Sequence, residues 1–150
     1  MAIQLQTAII NQGAFLLEKK QIHPLKTLRY TVITNETMKE VQCLQSPLSL
    51  QRLAQFLMEA LKQSKEKKSS KYEEKPMMLC VLNSIKNVYL VAGVKSVLEA
   101  KNRLGRAFHD IAVKINLRVK MDGFDTTYLE IQKDDFQSFL QEMYSNDKQG

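Results

Sequence analysis

Few side chains in this 150-residue chain could break or form a bond. A nucleophile needs a base within reach and a third group to orient that base. The histidines are His23 and His109, and neither lies in a metal-ligand spacing or a G-x-S-x-G setting. His109 and Asp110 are adjacent in a helical pattern, so they point about 100° apart and neither orients the other. Cys43 and Cys80 give no metal-ligand spacing, and both sit in strand-like apolar runs where a buried, reduced thiol is the expectation. Asp134 and Asp135 are paired carboxylates, but they open a helical pattern, where acidic side chains favour the dipole. Gly13, Gly93, Gly105, Gly123 and Gly150 are too scattered to cradle a phosphate. We therefore expect no catalytic residue, no metal site and no cofactor.

The basic side chains carry more information. Net charge is +6, with eight basic against two acidic residues from 77 to 121 and two basic against seven acidic from 122 to 150. Lys95, Lys101, Arg103, Arg106, Lys114, Arg118 and Lys120 supply a basic region, and Tyr128 beside Arg118 could stack a base, which is the pattern of a nucleic-acid-binding surface. Against it, Lys95, Glu99 and Arg103 form a ladder at i, i+4 spacing, as do Arg106 and Asp110, so part of that charge is occupied within the helix. The lysine-rich stretch 62–75 is broken by Glu66, Glu73 and Glu74 and reads as a solvated connector more than as an import or anion-binding patch.

The elements that would position these residues follow from periodicity. From Val94 to Ala112, Val94, Val97, Lys101, Leu104, Phe108, Ile111 and Ala112 share one helical side, and charged residues fill the other. Lys101 within that stripe must snorkel or find a partner, and Gly105 near it implies a close approach of another backbone. Residues 3–10 and 14–22 read as two strands joined by Asn11-Gln12-Gly13. Leu28, Tyr30 and Val32 alternate toward Val41 and Cys43, predicting a hairpin with residue 32 opposite 41 and 30 opposite 43. Ser46-Pro47 is an N-cap and first-turn proline for a helix to about Lys65. Met77 to Val91 is apolar on both faces around an Asn83–Asn87 turn, as central strands are. Ile115 to Met121 alternates strictly and pairs in register with Leu129 and Ile131, after which Asp134 caps a helix with the stripe Phe136, Phe139, Leu140 and Met143.

The expected fold is α+β: an antiparallel sheet with about three helices on one face, built from hairpin–helix units. At this length the chain is expected to form one domain over 1–150, with N-terminal strands and first helix in 1–61, a charged linker at 62–76, the strand pairs and two helices in 77–145, and a frayed tail at 146–150. No apolar run of about 18 residues exists and the first ten residues lack a basic leader, so neither a membrane partner nor export is expected. The functional expectation is a non-enzymatic protein-interaction module of the cytoplasm or nucleus: an assembly factor, chaperone-like adaptor or complex subunit. Its partners would be proteins, including a second copy as a homodimer. The second reading is a nucleic-acid-binding domain using the basic segment 86–120.

Overall fold

The computed structural model describes residues 2–34, 43–67, 74–96, 103–115 and 126–149. In chain order these form α1 (Ala2–Glu18), β1 (His23–Pro24), β2 (Arg29–Ile33), α2 (Pro47–Lys67), β3 (Met77–Asn83), β4 (Val88–Val94), α3 (Arg103–Lys114), β5 (Thr126–Gln132), a 3-10 turn (Lys133–Asp135) and α4 (Phe136–Gln149). The five strands make one sheet in the order β1-β2-β3-β4-β5.

The α+β class holds, and the central hairpin is the expected one. β3 and β4 pair antiparallel, with Cys80 opposite Val91 and Met77 opposite Val94. Asn87 closes their turn at φ 58°, a left-handed conformation that asparagine tolerates, and the Lys86 N–H donates to Asn83 Oδ1 at 3.1 Å. β5 pairs antiparallel with β4, placing Leu129 opposite Val91 and Ile131 opposite Tyr89. The expected pairing of 115–121 with β5 lies outside the described residues beyond Ile115, which closes the last turn of α3 with an N–H bond to Ile111 O at 3.0 Å.

Alternation along the strands divides the core in two. Ile33, Met77, Leu79, Val81, Leu90, Ala92 and Val94 face Ile9 and Leu16 of α1 and Leu50, Leu53 and Leu57 of α2. Tyr30, Met78, Cys80, Val91, Leu129 and Ile131 face Leu104, Phe108 and Ile111 of α3 and Phe136, Phe139 and Met143 of α4. Consecutive residues of β3 thus enter different clusters, as a period of two requires. The described helices number four, two on each face, in place of about three on one face. The physical reason is the doubly apolar β3–β4 pair, which needs cover on both sides.

Three local expectations also change. Residues 3–10 and 14–22 are not strands: α1 runs through Asn11-Gln12-Gly13, burying Ala8, Ile9, Gln12, Gly13 and Leu16 at helical spacing. A Cβ at Gly13 would collide with the Phe56 ring of α2, so this glycine serves close helix packing and not a turn. The helix ends with the Lys20 N–H donating to Leu17 O at 3.3 Å and the Gln21 N–H to Leu16 O at 2.9 Å, with Lys20 at φ 53°, a Schellman closure.

Tyr30 of β2 does not lie opposite Cys43 as a hairpin partner. Tyr30 lies opposite His23 of β1 and opposite Met78 in a parallel β2–β3 ladder, Cys43 is an exposed turn residue, and 41–42 lie outside the described residues. α2 is the crossover that a parallel pairing demands; it begins as expected, with the Ser49 N–H donating to Ser46 Oγ at 3.2 Å. Finally, Val94 belongs to β4 and not to the following helix, because it continues the inward series Leu90 and Ala92.

A close approach of α3 to the sheet occurs at Gly93. A Cβ there would sit 2.8 Å from the Phe108 ring and 2.9 Å from a Leu104 methyl, so α3 lies directly on the β4 backbone. Gly105 itself is buried on α3.

Candidate functional site

Among the described residues, the basic and aromatic side chains singled out from the sequence are divided between the two faces of the sheet. Lys101, Arg118 and Lys120 lie outside the described residues. Lys114 is paired with Glu142 of α4 at 2.8 Å. Tyr128 is half-buried against the core beneath α1 and α2, on the opposite side of the sheet from α3, and burial followed by the Glu130 charge raises its hydroxyl above the ordinary tyrosine range. It cannot stack a base beside the arginines of α3. Lys95 lies just beyond β4 with a partner of its own. Arg103 and Arg106 are exposed on the first turn of α3, and Asp110, one turn after Arg106, is exposed as well.

Arg103 borders a cleft of about 290 Å³ at the end of the sheet where β2 and β3 begin. Parallel pairing brings those two starts together, and the Arg29 N–H donates to Pro76 O at 3.0 Å. Leu28, Pro76, Leu104 and Ala107 give the cleft an apolar lining, while Lys26, Lys75 and Arg103 bring cations to it and Glu74 one carboxylate. Lys75 Nζ donates to Leu25 O at 2.8 Å. Neither the Arg103 guanidinium nor the Lys26 ammonium has an ion pair among the described residues. Lys26 was not singled out from the sequence, and Lys75 was read only as part of the 62–75 connector, because the two lie on separate loops joined only by the fold.

One wall of the cleft is fixed by the end of α4. Asp147 is buried, and its carboxylate accepts the Lys26 N–H at 2.8 Å, the Thr27 N–H at 2.7 Å and the Thr27 hydroxyl at 2.5 Å. Burial alone would raise its carboxyl, but the hydrogen bonds from Thr27 and Lys26 and the Lys75 charge outweigh this and hold it below the usual carboxylate range. The tail expected to fray is therefore a helical anchor as far as Gln149. Nearby, the Tyr30 hydroxyl bonds to that of Tyr144, and burial, then this bond, push Tyr30 up to about 12. Cys80 is wholly buried and its thiol is raised by burial, an inert core residue. Among the described residues there is no cluster of three His, Cys, Asp or Glu that could hold a metal ion, and no helix is long and apolar enough to cross a membrane.

A second surface went unnoticed in the sequence. Among the described side chains, the outward side of α1 consists of Gln6, Thr7, Ile10, Asn11, Ala14 and Phe15 and ends at Glu18, with Ile10 48% and Phe15 38% exposed. No Asp, Glu, Lys or Arg occurs from residue 2 to residue 17, in a chain of which 25% is charged. That charge-free run was the available signal. Solvent-facing helix surfaces ordinarily carry charge, whereas the centres of protein interfaces are depleted in it and enriched in aromatic residues.

Comparison with known proteins gives these surfaces a family. The CDC45 family profile matches residues 1–146. The chain is 29% identical over 154 residues to Cell division control protein 45 of Saccharomyces cerevisiae, covering 95% of this chain and 23% of that protein. It is 28% identical over 155 residues to the homologue from Schizosaccharomyces pombe, covering 95% and 24%. The chain thus spans about a quarter of the length of these relatives. The crystal structure of CDC45 from Entamoeba histolytica matches with a TM-score of 0.76 and 21% identity, over 95% of this chain and 28% of that one, a likeness of fold. With the profile extending over nearly its whole length, the chain belongs to the CDC45 family.

Proposed function

We propose that this chain is a non-enzymatic protein-interaction module, folding as one α+β unit and serving as an assembly or scaffold segment of a nuclear complex engaged in DNA replication and cell division control. The observation that carries this reading is the outer side of α1 from Gln6 to Phe15, uncharged up to Glu18, whose natural occupant is an uncharged, apolar protein surface. Ile10 and Phe15 are the anchors, since burying the exposed part of a large apolar side chain is worth on the order of 1 kcal/mol. Replacing both with lysine (Ile10→Lys, Phe15→Lys) changes stability by no more than about 1 kcal/mol, the positions being already solvated. In size-exclusion profiles of a native-host extract, the double variant shifts from a high-mass complex to free chain. Val113→Lys, at a residue 68% exposed on α3, leaves the profile unchanged. A double variant that stays in the complex would remove the proposal. A second copy as the partner would show as a mass of twice 17.3 kDa for the isolated chain.

The exposed Arg103 and Arg106 favour a second reading, contact with nucleic acid. Binding to a single-stranded oligonucleotide would then fall steeply with salt, because phosphate contacts release counterions. The Arg103→Gln, Arg106→Gln, Arg118→Gln variant would abolish it, and unchanged affinity in that variant refutes the reading.

A further inference from the structure

We propose that the cleft where β2 and β3 begin is a binding subsite for a single carboxylate on a short apolar stem, carried by an acidic peptide or by a small free carboxylic acid. At about 290 Å³ it lies at the bottom of the range of small-ligand clefts, roughly 300–1,000 Å³, and holds a group of side-chain size. Leu28, Pro76, Leu104 and Ala107 provide contact for an aliphatic stem. The charges set the valence of the head group. Lys75 is tied to Leu25 O and lies close enough to Asp147 to lower its pKa, so those two charges compensate each other. Among the described residues, Glu74 offsets one of the remaining cations, Lys26 and Arg103, and one positive charge is left for the ligand.

A monoanion matches that balance. A phosphate monoester, which carries about −1.5 to −2 at pH 7, exceeds that single positive charge and also meets the Glu74 carboxylate. The planar fork of Arg103 suits a carboxylate in bidentate geometry, and Asn146 adds an amide. Asp147 holds the Lys26–Thr27 wall in place with three hydrogen bonds, so the cleft is built before a ligand arrives. This site is separate from the α1 surface, and either proposal stands or falls without the other.

The test is an amide-resolved NMR titration of the full chain with butyrate, with a blocked tetrapeptide holding one glutamate, with its glutamine counterpart, and with inorganic phosphate. Saturable shifts at Thr27, Lys75, Leu104 and Asn146 with the glutamate peptide, at a dissociation constant of about 1 mM or tighter, support the proposal. Equal affinity for butyrate identifies a free acid as sufficient; binding of the peptide alone identifies a peptide source. The Lys26→Gln, Arg103→Gln variant, unchanged in melting temperature, weakens binding at least about tenfold, while Arg106→Gln does not. Absence of saturable shifts, equal binding of the glutamine peptide, a preference for phosphate, or full affinity in the double variant would each overturn it.

Discussion

Replacing Phe108 with alanine lowers the unfolding free energy by about 3 to 5 kcal/mol, the range for emptying a buried phenylalanine site. The position leaves little room for relaxation. Phe108 is 0% exposed, its ring packs edge-on against Phe139 at 5.6 Å and 64°, and its other side rests on Gly93. Phe139 in turn is followed by Phe136, stacked on Tyr89 at 3.8 Å. Phe108 thus joins α3 to β4 and to α4, and its loss loosens one whole layer. Against a total stability of about 5–15 kcal/mol for a typical domain, the variant is marginal at best. Urea denaturation followed by circular dichroism measures this, and a loss below about 1 kcal/mol would show that α3 is not bound to the sheet as described.

Asp147→Ala is the second large effect, about 2 to 4 kcal/mol, because it leaves the Lys26 and Thr27 N–H groups and the Thr27 hydroxyl without their acceptor. It also carries a pH signature. The folded carboxyl is held below its ordinary value, so its contribution is complete above the unfolded pKa of about 3.9 and is lost as pH falls through the folded value. The stability gap between the parent chain and Asp147→Ala is therefore widest near neutrality and narrows in acid. Denaturation midpoints at pH 7 and pH 3 measure it, and a gap independent of pH would mean that the carboxylate is not the acceptor. Since the same bonds shape the cleft wall, the substitution also weakens ligand binding there.

Local pattern reveals some of this architecture, and distance conceals the rest. The β3–β4 hairpin could be read because both of its faces are apolar and its turn residues are adjacent. The start of α2 could be read because Ser46 and Pro47 act on the next few residues, and α4 because Phe136, Phe139 and Met143 recur at helical spacing. α1 was hidden: Gln4, Gln6 and Thr7 imitate a strand, and the reason for Gly13 is Phe56, far along the chain. β2 was assigned to the nearest apolar run because its actual neighbour, β3, pairs in parallel across a helix, which leaves no turn to recognise. The two-sided cover of β3 and β4 was foreseeable as a need, but not which helices would meet it.

The same distinction governs the candidate sites. Arg103 was visible as one of a basic series, while Lys26 and Lys75 reach the cleft only through the parallel pairing. Asp147 meets Lys26 across 121 positions, and no local rule links an acid at a helix end to a distant turn. That Tyr128 faces away from α3 was hidden, because strand parity alone does not say which face α3 covers. The uncharged run from 2 to 17 was visible throughout, yet its meaning needed the helix.

The most direct measurement is photocrosslinking in the native host from a photoreactive amino acid placed at position 10. The outward side of α1 as a docking surface predicts a discrete adduct to a protein surface from position 10. That adduct persists at about 1 M salt, where electrostatic contacts are screened within about 3 Å, and it is absent when the reactive group is moved to position 113. No adduct from position 10, an equal yield from position 113, or an adduct that disappears at high salt would contradict it.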